Sequence, residues 1–138
     1  VPLNAAYVSS KFALEGLSES ISFELEDFGI KVILIEPGVV QTDFFHNLII
    51  KGNGAKSPYY KLMDRRIAFL KATINSNVTS SDQVANTILH AVNSKDPALR
   101  YVIGNDATNS IRVRKNLPDR EFMKWIREVI FHGKRLTK

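Results

Sequence analysis

Tyr7 and Lys11 stand four residues apart in the stretch Tyr7-Val8-Ser9-Ser10-Lys11. On a helix, that spacing sets both side chains on one face, one turn apart. A free phenol titrates at about 10 and a free lysine ammonium at about 10.4. A cation held beside a phenol favours the phenolate. Such a pair can hand a proton to a carbonyl oxygen, or take one from an alcohol, near neutral pH. Taken alone, the same spacing also describes an ordinary buried tyrosine and a solvated lysine, so the surrounding elements must decide.

The Tyr-Lys pair must be carried by a helix that opens near Asn4, runs to about Phe28 and stops at Gly29. At 100° per residue, Leu14, Leu17, Ile21, Leu25 and Phe28 fall in one apolar stripe. Tyr7 sits at the edge of this stripe with Lys11 just beyond, which would bury the tyrosine ring and leave its hydroxyl at a cleft. Val8, Phe12 and Phe23 form a second stripe. One stripe is expected on a sheet, the other on a second copy of the helix or under the chain's own tail.

Lys31 to Glu36 is a short β-branched run, read as a buried strand. Helix, short turn and strand in that order predict one repeat of a parallel α/β sheet. Pro37-Gly38 ends the strand. Ligands of open α/β sheets bind just beyond the carboxyl ends of strands, so the loop from Pro37 to Thr42 is the place for a ligand. Gly38 there permits close backbone approach.

The two stretches together, Tyr7 through Ser20 and Gly29 through Thr42, resemble the second half of a short-chain dehydrogenase/reductase, and the likeness extends to the strand near Tyr101. The resemblance implies an α/β fold, the C-terminal part of a Rossmann-like doubly wound parallel sheet, with the N-terminal dinucleotide-binding half absent from this sequence. It implies NAD or NADP as cofactor and a small carbonyl or alcohol substrate. Tyr7 would be the general acid and base. Lys11 would bond the nicotinamide ribose. Pro37, Gly38, Val40 and Thr42 would form the cofactor-binding loop, Val40 through its backbone and Thr42 through its hydroxyl. It also implies homo-oligomer formation through the helix at 5–28.

The remainder divides by pattern. Residues 1–42 hold the helix, strand and loop, and the resemblance implies that 43–78 are the substrate lid. Residues 79–104 hold a helix and the last strand, and 105–138 a basic amphipathic tail. In the lid, Lys51 to Pro58 reads as a loop and Tyr59 to about Ile74 as a helix. Phe44, Phe45, Leu48, Ile49 and Tyr59 either line an apolar pocket or pack structurally. Gly52-Asn53-Gly54 is no dinucleotide fingerprint, because no strand and helix frame it. Thr79 or Ser80 caps a helix with Asp82 and Gln83 in its first turn. Val84, Ala85, Ile88, Leu89 and Val92 are its expected apolar face. Leu99 to Gly104 is the last strand. Phe122, Trp125, Ile126, Val129 and Ile130 share a face of a terminal helix.

Composition bounds the rest. The chain has 138 residues, 44% of them apolar and 24% charged, which describes a globular chain. Cysteine is absent, so there is no disulfide framework and no thiolate site. His46, His90 and His132 match no metal-ligand pattern. The charge is uneven: residues 1–109 carry 10 Lys/Arg against 11 Asp/Glu, while residues 110–138 carry 9 against 3. The basic tail is expected as a solvated helix face. Membrane-surface contact is the runner-up, and nucleic acid is not an expected partner. No apolar run is long enough to span a bilayer and no secretory leader is read, so the expected location is the cytoplasm.

Only six residues precede Tyr7, whereas the resembled family carries its catalytic Ser and Asn upstream of its tyrosine. The expectation is therefore a C-terminal fragment of a longer reductase that is inactive alone. Two other classes stay open. One is a non-catalytic dimerisation or binding module. The other is an epimerase or dehydratase of the extended branch, against which the Pro37-Gly38…Thr42 segment argues.

Overall fold

The computed structural model describes residues 2–44, 47, 54–74 and 78–132. Phe45, His46, Leu48, Ile49 and the start of the 51–58 loop lie outside the described residues. The elements in order are α1 (Ala5–Glu26), β1 (Leu34–Pro37), α2 (Tyr60–Ile74), α3 (Ser81–Asn93), β2 (Arg100–Ile103), α4 (Asn105–Asn116) and α5 (Asp119–His132). This is the α/β class, with a small parallel sheet. The chain divides into two compact units, residues 1–40 with 79–108 and residues 41–78 with 109–138, so the boundary falls within α4.

In the first unit, β1 and β2 pair in parallel, Leu34 opposite Arg100 and Pro37 opposite Ile103. Parallel neighbours cannot be joined by a hairpin and need a crossover; α3 lies on that connection and packs on both strands. Ser80 caps α3 as the sequence implies. Its Oγ accepts from Gln83 N at 3.1 Å, and Gln83 Oε1 accepts from Ser80 N at 3.0 Å. This reciprocal capping box satisfies two donors that the helix cannot pair internally.

The face that α3 buries differs from the expected one. Ala91 is buried at 1% exposure, with Val84 and Thr87 half-buried on its side. Ala85, Ile88, Leu89 and Val92 are exposed. Side chains three and four apart share a face, and here the small residue at 91 lets the helix lie close to the sheet while the bulkier face looks outward.

α1 ends through paired bonds. Gly29 N donates to Glu26 O at 2.9 Å and Ile30 N to Leu25 O at 3.2 Å, with Gly29 at φ +70°. Those bonds satisfy the last free carbonyls of the helix. The expected burial of its first stripe is not found. No residue of α1 is buried, and Leu14, Leu17 and Phe28 are exposed. The helix is tied to the sheet by charge instead. Arg100 on β2 donates to Glu15 at 3.1 Å and to Glu19 at 2.6 Å.

In the second unit, α5 packs on α2. Val129 and Ile130 are buried and Phe122, Trp125 and Ile126 half-buried, so the terminal helix uses the face that its periodicity predicts. Phe122 and Trp125 stack at 6.0 Å between ring centroids. The Arg114 guanidinium lies 4.9 Å from the Phe122 ring centroid and bridges Asp119 at 2.8 Å, closing the turn between α4 and α5. Among the described residues, no helix is long and apolar enough to cross a membrane.

Candidate active site

α1 presents Tyr7 and Lys11 together. The Lys11 Nζ lies 5.7 Å from the Tyr7 ring centroid, within the range in which a ring face attracts a cation. Helical register alone accounts for this placement. Ser10 Oγ donates to Tyr7 O at 2.8 Å and so adds a local bond in the same turn. Tyr7 is 51% exposed, where burial of its ring at the stripe edge was expected. The physical reason is that α1 meets the sheet through Arg100, well along the helix, and its first turns extend beyond that contact.

The loop after β1 is held through the backbone of Gly38, Val39 and Val40. Gly38 N donates to Ile103 O at 2.9 Å. Val39 N donates to Asp106 Oδ2 at 2.7 Å, and Val39 O accepts from Thr79 N at 2.9 Å. Val40 and Thr79 form a parallel bridge. In that pairing the donors and acceptors come from the residues on either side of Val40, so its own N–H and C=O point away from Thr79. A backbone donor and acceptor held side by side in this way suit the carboxamide of a nicotinamide, and the residues present therefore fit that group.

Three residues to which the sequence assigned no role at this loop brace it: Thr79, Gly104 and Asp106. Thr79 is 4% exposed. A Cβ on Gly38 would run into the Asp106 carboxylate, and one on Gly104 would strike Thr79 Oγ1 and come within 2.7 Å of Asp106 Oδ1. Gly104 also has φ +97°, a region that side chains rarely enter. Both positions therefore require glycine. The sequence signal that pointed here was faint: a glycine directly after a strand with an acid two residues on.

Thr42 belongs to the second unit, where its Oγ1 accepts from Phe44 N at 3.4 Å. Among the described residues, no hydrogen bond or ion pair joins Tyr7 or Lys11 to the 37–40 loop. Two shallow hollows are lined elsewhere, one by Asn86, Leu89, His90, Asn93 and Ser94, the other around Phe23, Ile30 and Leu99. The described residues include no group of three or more His, Cys, Asp or Glu side chains placed to hold a metal ion.

Residues 1–52, which contain the Tyr-Lys pair and the whole Pro37–Thr42 loop, match the short chain dehydrogenase family. Relatives extend the likeness along the chain. An uncharacterized oxidoreductase of Schizosaccharomyces pombe is 28% identical over 122 residues, 88% of this chain and 50% of its own. Mouse 17-beta-hydroxysteroid dehydrogenase type 1 is 34% identical over 125 residues, 86% of this chain and 35% of its own. An oxidoreductase of Botryotinia fuckeliana is 31% identical over 103 residues, 75% of this chain and 37% of its own. The chain belongs to the short-chain dehydrogenase/reductase family, and its fold is the C-terminal part of that family's Rossmann-like sheet. It spans half or less of the length of these relatives.

Proposed function

We propose that the chain is the C-terminal half of an NAD(P)-dependent oxidoreductase acting on a carbonyl or alcohol substrate. The observation that carries this reading is the pairing, on one chain, of the Tyr7–Lys11 face of α1 with a backbone-clamped loop at the carboxyl end of β1. The names of its relatives, oxidoreductases and a hydroxysteroid dehydrogenase, agree with it.

Tyr7 gives its hydroxyl proton to the substrate oxygen in reduction and recovers it in oxidation. The Lys11 ammonium, one turn away, opposes the negative charge that develops on the Tyr7 oxygen as the proton leaves. Lys11 also has the reach and charge to bond the cofactor's ribose hydroxyls. The Val40 backbone N–H and C=O orient the carboxamide, and the Thr42 hydroxyl is assigned to the cofactor by the family resemblance. The nicotinamide supplies the hydride when bound. In this proposal, turnover by the isolated chain is at background and its cofactor binding weak, which a titration of the purified chain with NADH and NADPH checks. The cytoplasm is the proposed location.

The exposure of Phe12 at 76% and Phe23 at 72% on α1 supports self-association through this helix, since large apolar side chains in one stripe favour a covering surface. Sedimentation of wild type against Phe12→Ser/Phe23→Ser measures it, and a monomer in both would remove that role from the helix.

The test of the chemistry is Tyr7→Phe in the full-length oxidoreductase that carries this chain. The kcat should fall by about 10²-fold or more, as expected on loss of a general acid, while the affinity for NADH or NADPH stays within about twofold. Retained turnover removes Tyr7 from the reaction. Steroid ketones belong in the substrate panel because of the mouse relative's name.

A further inference from the structure

We propose that Asp106 is the positioning residue of the cofactor loop: its carboxylate locks Val39 and thereby fixes the Val40 backbone that addresses the nicotinamide. The inference rests on the oxidoreductase reading above and adds to it a residue on α4 that lies outside both sequence motifs.

Four observations converge on this carboxylate. Its Oδ2 accepts from Val39 N at 2.7 Å across 67 residues of sequence. A hydrogen bond to an ionised acceptor is roughly twice as strong as a neutral one. The Oδ1 is buried and has no hydrogen-bond partner among the described residues, a costly arrangement that needs a compensating gain. Gly38 and Gly104 both leave out a Cβ where the carboxylate sits, so the space between the loop and the end of β2 is shaped around it. Finally, Val39 is gripped at both ends, its N–H by Asp106 and its C=O by Thr79.

The grip has a direct consequence for the next residue. The Val39 C=O bond to Thr79 orients the peptide plane leading into Val40, the Val39 N–H bond to Asp106 orients the plane before it, and the Val40 N–H and C=O are presented away from Thr79. Without the carboxylate, the Gly38–Val39 plane loses this bond, and the Val39 backbone that sets the direction of the Val40 groups is held on its Thr79 side only. Preorganised backbone groups bind better because their ordering cost is already met. Asp106 sits in the first turn of α4, where the helix N-terminus also favours a negative charge. That contribution is local to α4 and would be the whole effect if Asp106 served only its own helix.

The experiment compares Asp106→Ala and Asp106→Asn in the full-length oxidoreductase, titrated with NADH, or with NADPH where the wild type prefers it, and with the matching ADP-ribose or 2′-phospho-ADP-ribose, which lack the nicotinamide. Asp106→Ala should weaken NADH at least tenfold and leave ADP-ribose within twofold. Asp106→Asn keeps an acceptor oxygen for the Val39 N–H and should recover most of the loss. Equal NADH affinity in wild type and the alanine variant overturns the role of Asp106 and leaves the oxidoreductase reading standing. Parallel loss of NADH and ADP-ribose also overturns it, since that pattern marks a structural role only. A wild type that binds neither NADH nor NADPH overturns the oxidoreductase reading itself. Independently of any variant, the Val39 amide should exchange at least tenfold more slowly than an unprotected amide, and free exchange there removes the grip on which the inference stands.

Discussion

The Arg100 guanidinium on β2 donates to Glu19 on α1 at 2.6 Å, joining elements 81 residues apart in sequence. Glu15 at 3.1 Å and Glu36 at 3.3 Å complete a cluster of three carboxylates around one cation. The hydrogen bond to Glu19, then that to Glu15, holds the arginine above its ordinary pKa. A group raised in this way contributes its stability everywhere below its ordinary range and loses it only at still higher pH. Arg100 therefore ties α1, and with it Tyr7 and Lys11, to the sheet throughout the neutral range.

Replacing Arg100 by Met should destabilise the chain by about 1 kcal/mol, because half-exposed ion pairs are heavily screened by water. The loss should shrink at about 1 M salt, where the screening length falls to roughly 3 Å. Urea unfolding followed by circular dichroism at low and high salt measures both. A loss that salt leaves unchanged would assign the effect to packing of the arginine stem.

Gly104→Ala should cost on the order of 1–3 kcal/mol, since it combines a disfavoured backbone region with a Cβ driven into Thr79. Gly16→Ala is the matched control. Gly16 lies inside α1 with open space around its Cβ position, so alanine there should stabilise by about 0.5–1 kcal/mol. Similar midpoints for the two variants in thermal unfolding would contradict the tight approach at Gly104.

Ser80→Ala should cost about 1 kcal/mol through loss of the α3 cap. Ser80→Ala/Gln83→Ala should cost less than the two single changes added together, because each removes the same reciprocal box. Additive losses in urea midpoints would show that the two bonds act separately.

Arg66 lies on α2 at 6% exposure, and its Nε and Nη1 have no hydrogen-bond partner among the described residues. Burial lowers its pKa, so charging it in place costs stability. Arg66→Met keeps the length of the side chain and removes the charge, and should raise stability by about 1 kcal/mol. Its guanidinium lies 5.7 Å from the Phe69 ring centroid, which limits the gain. A lowered unfolding midpoint would mean that the guanidinium holds an acceptor in the folded chain.

Much of the fold was legible locally. The stop of α1 at Gly29, the Ser80 cap of α3, the presence of both strands and the inward face of α5 follow from periodicity and end signals that act within a few residues, although β1 begins at Leu34 instead of Lys31 and is half-buried instead of buried. α4 was not anticipated, because Asn105–Asn116 is polar with no sustained apolar period, and its start is set by Gly104 and the contacts of Asp106. In the first apolar stripe of α1, Leu14, Leu17 and Phe28 are exposed and Ile21 and Leu25 half-buried; on the expected face of α3, Ala85, Ile88, Leu89 and Val92 are exposed and Val84 half-buried. A stripe states that a face is suited to cover. Whether anything covers it depends on neighbours that the stripe does not encode.

By itself the sequence determined that Tyr7 and Lys11 would meet, because four residues of helix bring any such pair onto one face whatever surrounds it. It determined equally that a strand would end at Pro37-Gly38. The tertiary structure decided what holds that loop. The parallel register of Leu34 with Arg100, the seat of Asp106 on Val39 and the gathering of three glutamates around Arg100 join residues dozens of positions apart. Such partners carry no local periodicity, and only the pairing of β1 with β2 brings them within hydrogen-bonding distance.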